Sequence, residues 1–241
     1  MKTITLSFFL SLFALLFGIS SCDEDLFLEG NGNLRSEFRV ASGFDAIASS
    51  GDFKVTVTPG SNYSVEVSAE SNILPYIETD VIGNTLKIRT RGVHSLRENY
   101  PIEVFITTPV LNELSLSGSG LIKTGSFVSD DFKIAISGSG DIDTEISTDM
   151  MKANISGSGT VFLEGDANEA ELVISGSGKI KSYNFPQRHC KAVISGSGDM
   201  FVNASHTIDA RISGSGRVYY INHPVIHTSI SGSGAVVDKN Q

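Results

Sequence analysis

The chain has 241 residues, 18 Lys and Arg against 27 Asp and Glu, and a formal charge of −9. An acidic chain of this kind lacks the basic patches that nucleic acid or an anionic lipid surface requires. It holds two cysteines and no tryptophan.

Lys2 and the apolar run Ile4 to Phe17 form a short signal-like start, too short to span a bilayer comfortably. Ile19-Ser20-Ser21-Cys22 follows, and it resembles a bacterial lipobox. That resemblance implies a signal peptide over 1–21, cleavage before Cys22 and acylation of Cys22. Loss of Lys2 takes the mature charge to −10. Asp23-Glu24-Asp25 resembles the acidic surface-export signals of some Gram-negative lipoproteins, which favours the outer membrane or cell surface over the inner-membrane face of the periplasm. With Cys22 lipidated, Cys190 is left alone, so no internal disulfide forms and Cys190 is expected to pack as a small buried hydrophobe.

Residues 22–35, acidic and rich in Gly and Asn, are expected to form a tether. Residues 36–110 read as a strand-rich N-terminal region packed on the rest. Phe53–Thr58 and Tyr63–Val67 alternate around Pro59-Gly60-Ser61-Asn62, which predicts a hairpin. Asn72–Ile77 suggests one helical turn. Gly83-Asn84 predicts a second hairpin between Ile77–Val81 and Leu86–Arg89, and Ile102–Thr107 another strand.

From residue 111 to 241 a repeat takes over. Ser-Gly-Ser-Gly begins at Ser117, Ser137, Ser156, Ser175, Ser195, Ser213 and Ser231. The residue before each copy is Leu116, Ile136, Ile155, Ile174, Ile194, Ile212 or Ile230. The second residue after each is Ile122, Ile142, Val161, Ile180, Met200, Val218 or Val236. A repeat of 18 to 20 residues with constant apolar columns is one supersecondary unit stacked on itself. The fold class is therefore all-β, a parallel β-helix of about seven short coils, with the right-handed form preferred because the left-handed hexapeptide pattern is missing. Rungs about 4.8 Å apart make a rod of about 34 Å. Within the coil, simple alternation places both glycine columns inward and both serine columns outward. The other reading is a strand-turn-strand corner with the serines partly inward.

The lipobox, the alternating strands and the repeated Ser-Gly-Ser-Gly-x-[Ile/Val] resemble the putative auto-transporter adhesin, head GIN domain family, over about residues 38–220. The resemblance implies a β-helical protein of the cell envelope with an adhesive role, and it brings no catalytic residues to transfer.

No catalytic, cofactor or metal site is expected. The serine repeats lack the strand-to-helix elbow and positioned histidine of a nucleophile. His223 and His227 are about 13 Å apart in a strand, and His189 beside Cys190 has no third partner. Lys179, Asp199 and Arg217 are expected to form a ladder of charges on consecutive coils. The serine rows would make a regular hydroxyl lattice able to hydrogen-bond glycan. The candidate ligand contacts are Phe201, Tyr219 and Tyr220, an aromatic strip able to stack on sugar, and Asp141 and Asp143, a carboxylate patch. The expected partners are the membrane, through the lipid, and a glycan or another surface protein, without nucleic acid. The alternatives are a scaffold that self-associates into a homo-oligomer through its β-helix ends, and a polysaccharide-active enzyme.

Overall fold

The computed structural model describes residues 27–92 and 95–240. The signal peptide, Cys22 and the first part of the expected tether lie outside the described residues.

The rest of that tether carries strands. β1 (Phe27–Glu29) pairs in parallel with β8 (Ser95–Arg97), and β2 (Leu34–Arg39) pairs antiparallel with β5 (Ser64–Glu70). Glu70 pins this segment. Its buried carboxylate accepts N–H groups from Gly32 and from Asn99, the latter at 2.8 Å, and the Asn99 side-chain amide at 3.0 Å. These donors, the Asn99 side chain foremost, hold the Glu70 carboxyl below its ordinary value.

In the N-terminal region, β4 (Phe53–Pro59) and β5 are not a hairpin. The chain does reverse between them, but β9 (Ile102–Thr108) lies in the slot, parallel to β4 and antiparallel to β5. Its inward Ile102, Val104 and Ile106 complete the apolar face of Val55, Val57, Val65 and Val67. A local turn signal cannot reveal such a distant insertion. The second hairpin is present: β6 (Ile77–Ile82) and β7 (Thr85–Thr90) pair across Gly83-Asn84. Leu74–Tyr76 is a single 3-10 turn.

From β3 (Ala46–Ser50) and β10 (Glu113–Gly118) onward the strands stack in parallel. Coils β11 (Leu121–Gly138), β12 (Asp141–Gly157), β13 (Thr160–Gly176), β14 (Lys179–Gly196) and β15 (Asp199–Gly214) follow in order. The stack ends in β16 (Arg217–Ile221), β17 (Val225–Gly232) and β18 (Ala235–Asp238), giving a parallel solenoid of about seven turns. The apolar columns read from the sequence are in register, Ile122 to Ile142 to Val161 to Ile180 to Met200 to Val218 to Val236. From Ile122 to Val218 every member is fully buried.

The Ser-Gly-Ser-Gly motif is a corner, not the middle of a strand, which corrects the simple alternation. At Gly138 the backbone turns with φ of +132°, a conformation that side chains rarely adopt. Gly118 O in the coil below accepts the N–H groups of both Ser139 and Gly140 at 3.0 Å. Gly140 is buried, and a Cβ there would lie 2.6 Å from Leu116 Cδ2. So the first glycine turns and the second makes room for the aliphatic column of the coil below. The serines stay outward: Ser137 and Ser139 are exposed, as are their equivalents in the following coils.

The sequence hid an eighth corner. Ser50-Gly51-Asp52-Phe53 joins β3 to β4, Gly51 has φ of +132°, and Ser50 aligns with Ser117. Phe53 stands where the second glycine stands in later coils and is buried. Among the described residues, the strands beneath, β7 and β9, form no corner of this kind, so a ring fits there.

Gly157→Ala is expected to cost at least about 1–3 kcal/mol through backbone strain alone. Ser156→Ala, on the exposed row, should stay within about 0.5 kcal/mol. Urea midpoints of the two variants test this, and equal losses would make the hydroxyl ladder structural.

Candidate binding surface

The third residue after the motif faces outward in every coil. Its column runs Lys123, Asp143, Phe162, Lys181, Phe201, Tyr219, Val237. Rungs about 4.8 Å apart bring successive side chains into contact, so the column satisfies itself pair by pair. Lys123 Nζ lies 3.1 Å from Asp143 Oδ2. Lys181 Nζ sits 4.7 Å over the Phe162 ring. Phe201 and Tyr219 stack with centroids 5.0 Å apart and planes 15° apart. Lys239 covers Tyr219 from the far side at 5.4 Å. The rings therefore turn their faces along the rod and their edges outward.

A groove opens where this order is interrupted. Tyr183, Asn184 and Phe185 in β14 have no counterparts on β15, whose pairing passes from Ser182↔Val202 to Pro186↔Asn203. This bulge drives Phe185 into the core and leaves Tyr183 and Asn184 outside. Asn203 donates to Tyr183 O at 2.8 Å, and Ser182 donates inward to Phe201 O at 2.8 Å. Tyr183 meets Phe201 edge-on at 5.7 Å. The space between, about 320 Å³, is walled by Phe162, Glu164, Lys181, Tyr183, Asn184 and Phe201. It pairs aromatic edges with an ammonium, an amide and a carboxylate. Partial burial pushes the Tyr183 phenol upward, so it is a neutral donor at ordinary pH.

Phe201 thus lies on the groove and Tyr219 on the column just above it. Tyr220 does not join them. It points inward, packs on the core and hydrogen-bonds Asp238, its phenol raised by burial and by that carboxylate. Asp143 is held by Lys123, and Asp141 Oδ1 accepts the Thr160 N–H at 3.0 Å. Lys179, Asp199 and Arg217 share a column as expected, but no ion pair links them. Phe162 and Lys181 were readable by counting six residues from the first serine of each motif. Tyr183 and Asn184 were not, because the bulge breaks the count.

The interior holds a few satisfied polar groups. Thr124 and Thr144 hydroxyls meet at 2.8 Å, and Thr148 donates to Asp130 O at 3.0 Å. Among the described residues, no group of three or more His, Cys, Asp or Glu is placed to hold a metal ion. No helix among them is long and apolar enough to cross a membrane.

The family model described as putative auto-transporter adhesin, head GIN domain, matches residues 43–224. A putative lipid binding protein from Parabacteroides distasonis has a solved structure with 25% identity, a TM-score of 0.75 and coverage of 88% of this chain and 99% of its own. A putative adhesin from Bacteroides fragilis matches at 24% identity and a TM-score of 0.80, covering 88% and 99%. A putative adhesin from Parabacteroides merdae matches at 22% and 0.71, covering 88% and 98%. No curated protein matches the chain.

Cys190 fills the core column between Ala170 and Ile208, and burial foremost, with Asp209 adding to it, pushes its thiol up to about 12. His189 turns away to Thr207 Oγ1 at 2.9 Å. Cys190 should therefore resist a disulfide reagent at pH 8 in the native protein and react fully in denaturant. Rapid native labelling would show that the column opens.

Proposed function

The chain belongs to the putative auto-transporter adhesin, head GIN domain family, and from that premise we propose that it is a lipid-anchored binding module of the cell envelope whose ligand is a glycan held in the groove beside Phe201. The carrying observation is the β14 bulge. It opens a recess on the face of the rod and lines it with aromatic edges and hydrogen-bonding groups together. Sugars need both, apolar surface for their C–H faces and fixed polar partners for their hydroxyls.

The rigid solenoid supports this role, since a preformed site loses little freedom on binding. One relative is described as a lipid binding protein. In this chain the interior is filled by residues such as Phe132, Met151, Phe185 and Ile208, which supports a ligand held on the outer face rather than an acyl chain inside. The candidate acids Asp141 and Asp143 are tied to Thr160 and Lys123 rather than converging on the groove. That favours binding over polysaccharide cleavage. The lipid at Cys22 would hold the module at the membrane, and two small residues before that cysteine support the reading.

Glycan-array binding by the chain from residue 23 onward is the test. Phe201→Ala and Tyr183→Ala should each weaken the best glycan about ten-fold or more, the loss of one aromatic contact. Tyr220→Phe should leave it unchanged. A chain that binds no glycan, or binds equally well without the Phe201 ring, sinks the proposal.

A further inference from the structure

The two ends of the solenoid are built differently. Below the first coils, β2, β5, β6 and β9 close the core, and Val65, Val67, Ile77 and Ile106 are buried there. At the other end the last described rung is open. Ile226, Thr228 and Ile230 of β17 continue the columns of Ile208, Ala210 and Ile212. Yet Ile230 is 42% exposed where Ile212 is 2% exposed. Among the described residues β17 pairs only with β15, and β18 only with β16, so their outer N–H and C=O groups have no strand partner.

Edge strands are normally guarded by charge, proline or a bulge. β17 has none of these: from Val225 to Gly232 it contains no Asp, Glu, Lys, Arg or Pro and holds unbroken register with β15. The contrast with the body of the rod is sharp in one outward column. Glu113, Lys133, Lys152, Glu171, Lys191 and Asp209 carry a charge on every rung, and the column then ends on His227. In a molecule of net charge −9, the last rung is where a second copy can approach with least repulsion.

The inward residues of β17 also read the same in both directions. Ile226, Thr228 and Ile230 are symmetric about Thr228. We propose that two copies of this chain join end to end through β17, antiparallel about a two-fold axis at Thr228. Ile226 of each copy then faces Ile230 of the other, Thr228 faces its own equivalent, and the two cores run into one another. His227 meets Ser229, and Val225 meets Ser231, so no like charges oppose. The interface is isologous and closes at two copies, which covers the open β17 edge of each.

Sedimentation of the chain from residue 23 onward is the experiment. A dimer is expected, and Ile230→Lys should raise its Kd about ten-fold or more, because the join would bury an unpaired charge. Both the target residue and Thr228 lie on the outermost rung, so circular dichroism should be unchanged and melting should match the wild type's at concentrations where the wild type is monomeric. Should Ile230→Lys unfold, a cysteine pair decides. Thr228→Cys, on the axis, should give a disulfide-linked dimer on oxidation, while Ser231→Cys, whose opposite residue is Val225, should not. A monomer at every concentration, a dimer indifferent to Ile230→Lys, or equal cross-linking from both cysteine positions would overturn the proposal. Capture of a strand from another protein by a chain that stays monomeric would overturn it too.

Discussion

The structure depends on backbone stacking directly on backbone at one corner. Each motif places two peptide units above those of the coil below, close enough that a single Cβ would collide with a carbonyl or with an aliphatic side chain. That contact leaves no freedom to slide. A shift by one residue would bring side chains into both glycine positions and turn the apolar columns outward. Register in the rest of the coil follows from the corner, including the outward column that carries the groove. Parallel stacks are weakly specified when their strands are uniform, and here the glycine pair supplies the missing specification.

Much of this was legible in the sequence because the repeat makes three-dimensional neighbours into one-dimensional equivalents. Ile136, Ile155 and Ile174 could be aligned by counting, and they stack as counted. The corner was harder. Glycine every second residue fits an alternating strand as well as a turn, and only φ separates them. The first corner was invisible because Phe53 replaces the second glycine and erases the motif. The N-terminal topology could not be read from β4 and β5, since the strand between them comes more than thirty residues later in the chain.

The candidate surface shows the same division. Residues at a fixed offset from the motif, Phe162 through Tyr219, were accessible to counting. The residues that make a recess out of a flat face, Tyr183 and Asn184, belong to a bulge that departs from the count. In a regular scaffold, side chains are left free where regularity fails, because a perfect column consumes its own. Phe201 and Tyr219 illustrate it: two aromatic rings one rung apart spend their faces on each other and leave their edges outward.

Phe53 has a consequence for how such a rod changes length. Its ring occupies the space that a lower coil would need for its own corner, so the first turn can only be a foundation. Lengthening must insert a whole motif-bearing turn above it, and shortening must delete one. The length of the rod is then quantised, rising or falling by about 4.8 Å per turn while foundation and tip stay as they are. Duplication of one 18-residue to 20-residue segment is thus a ruler with fixed graduations, by which a lineage can set how far the tip stands from the foundation.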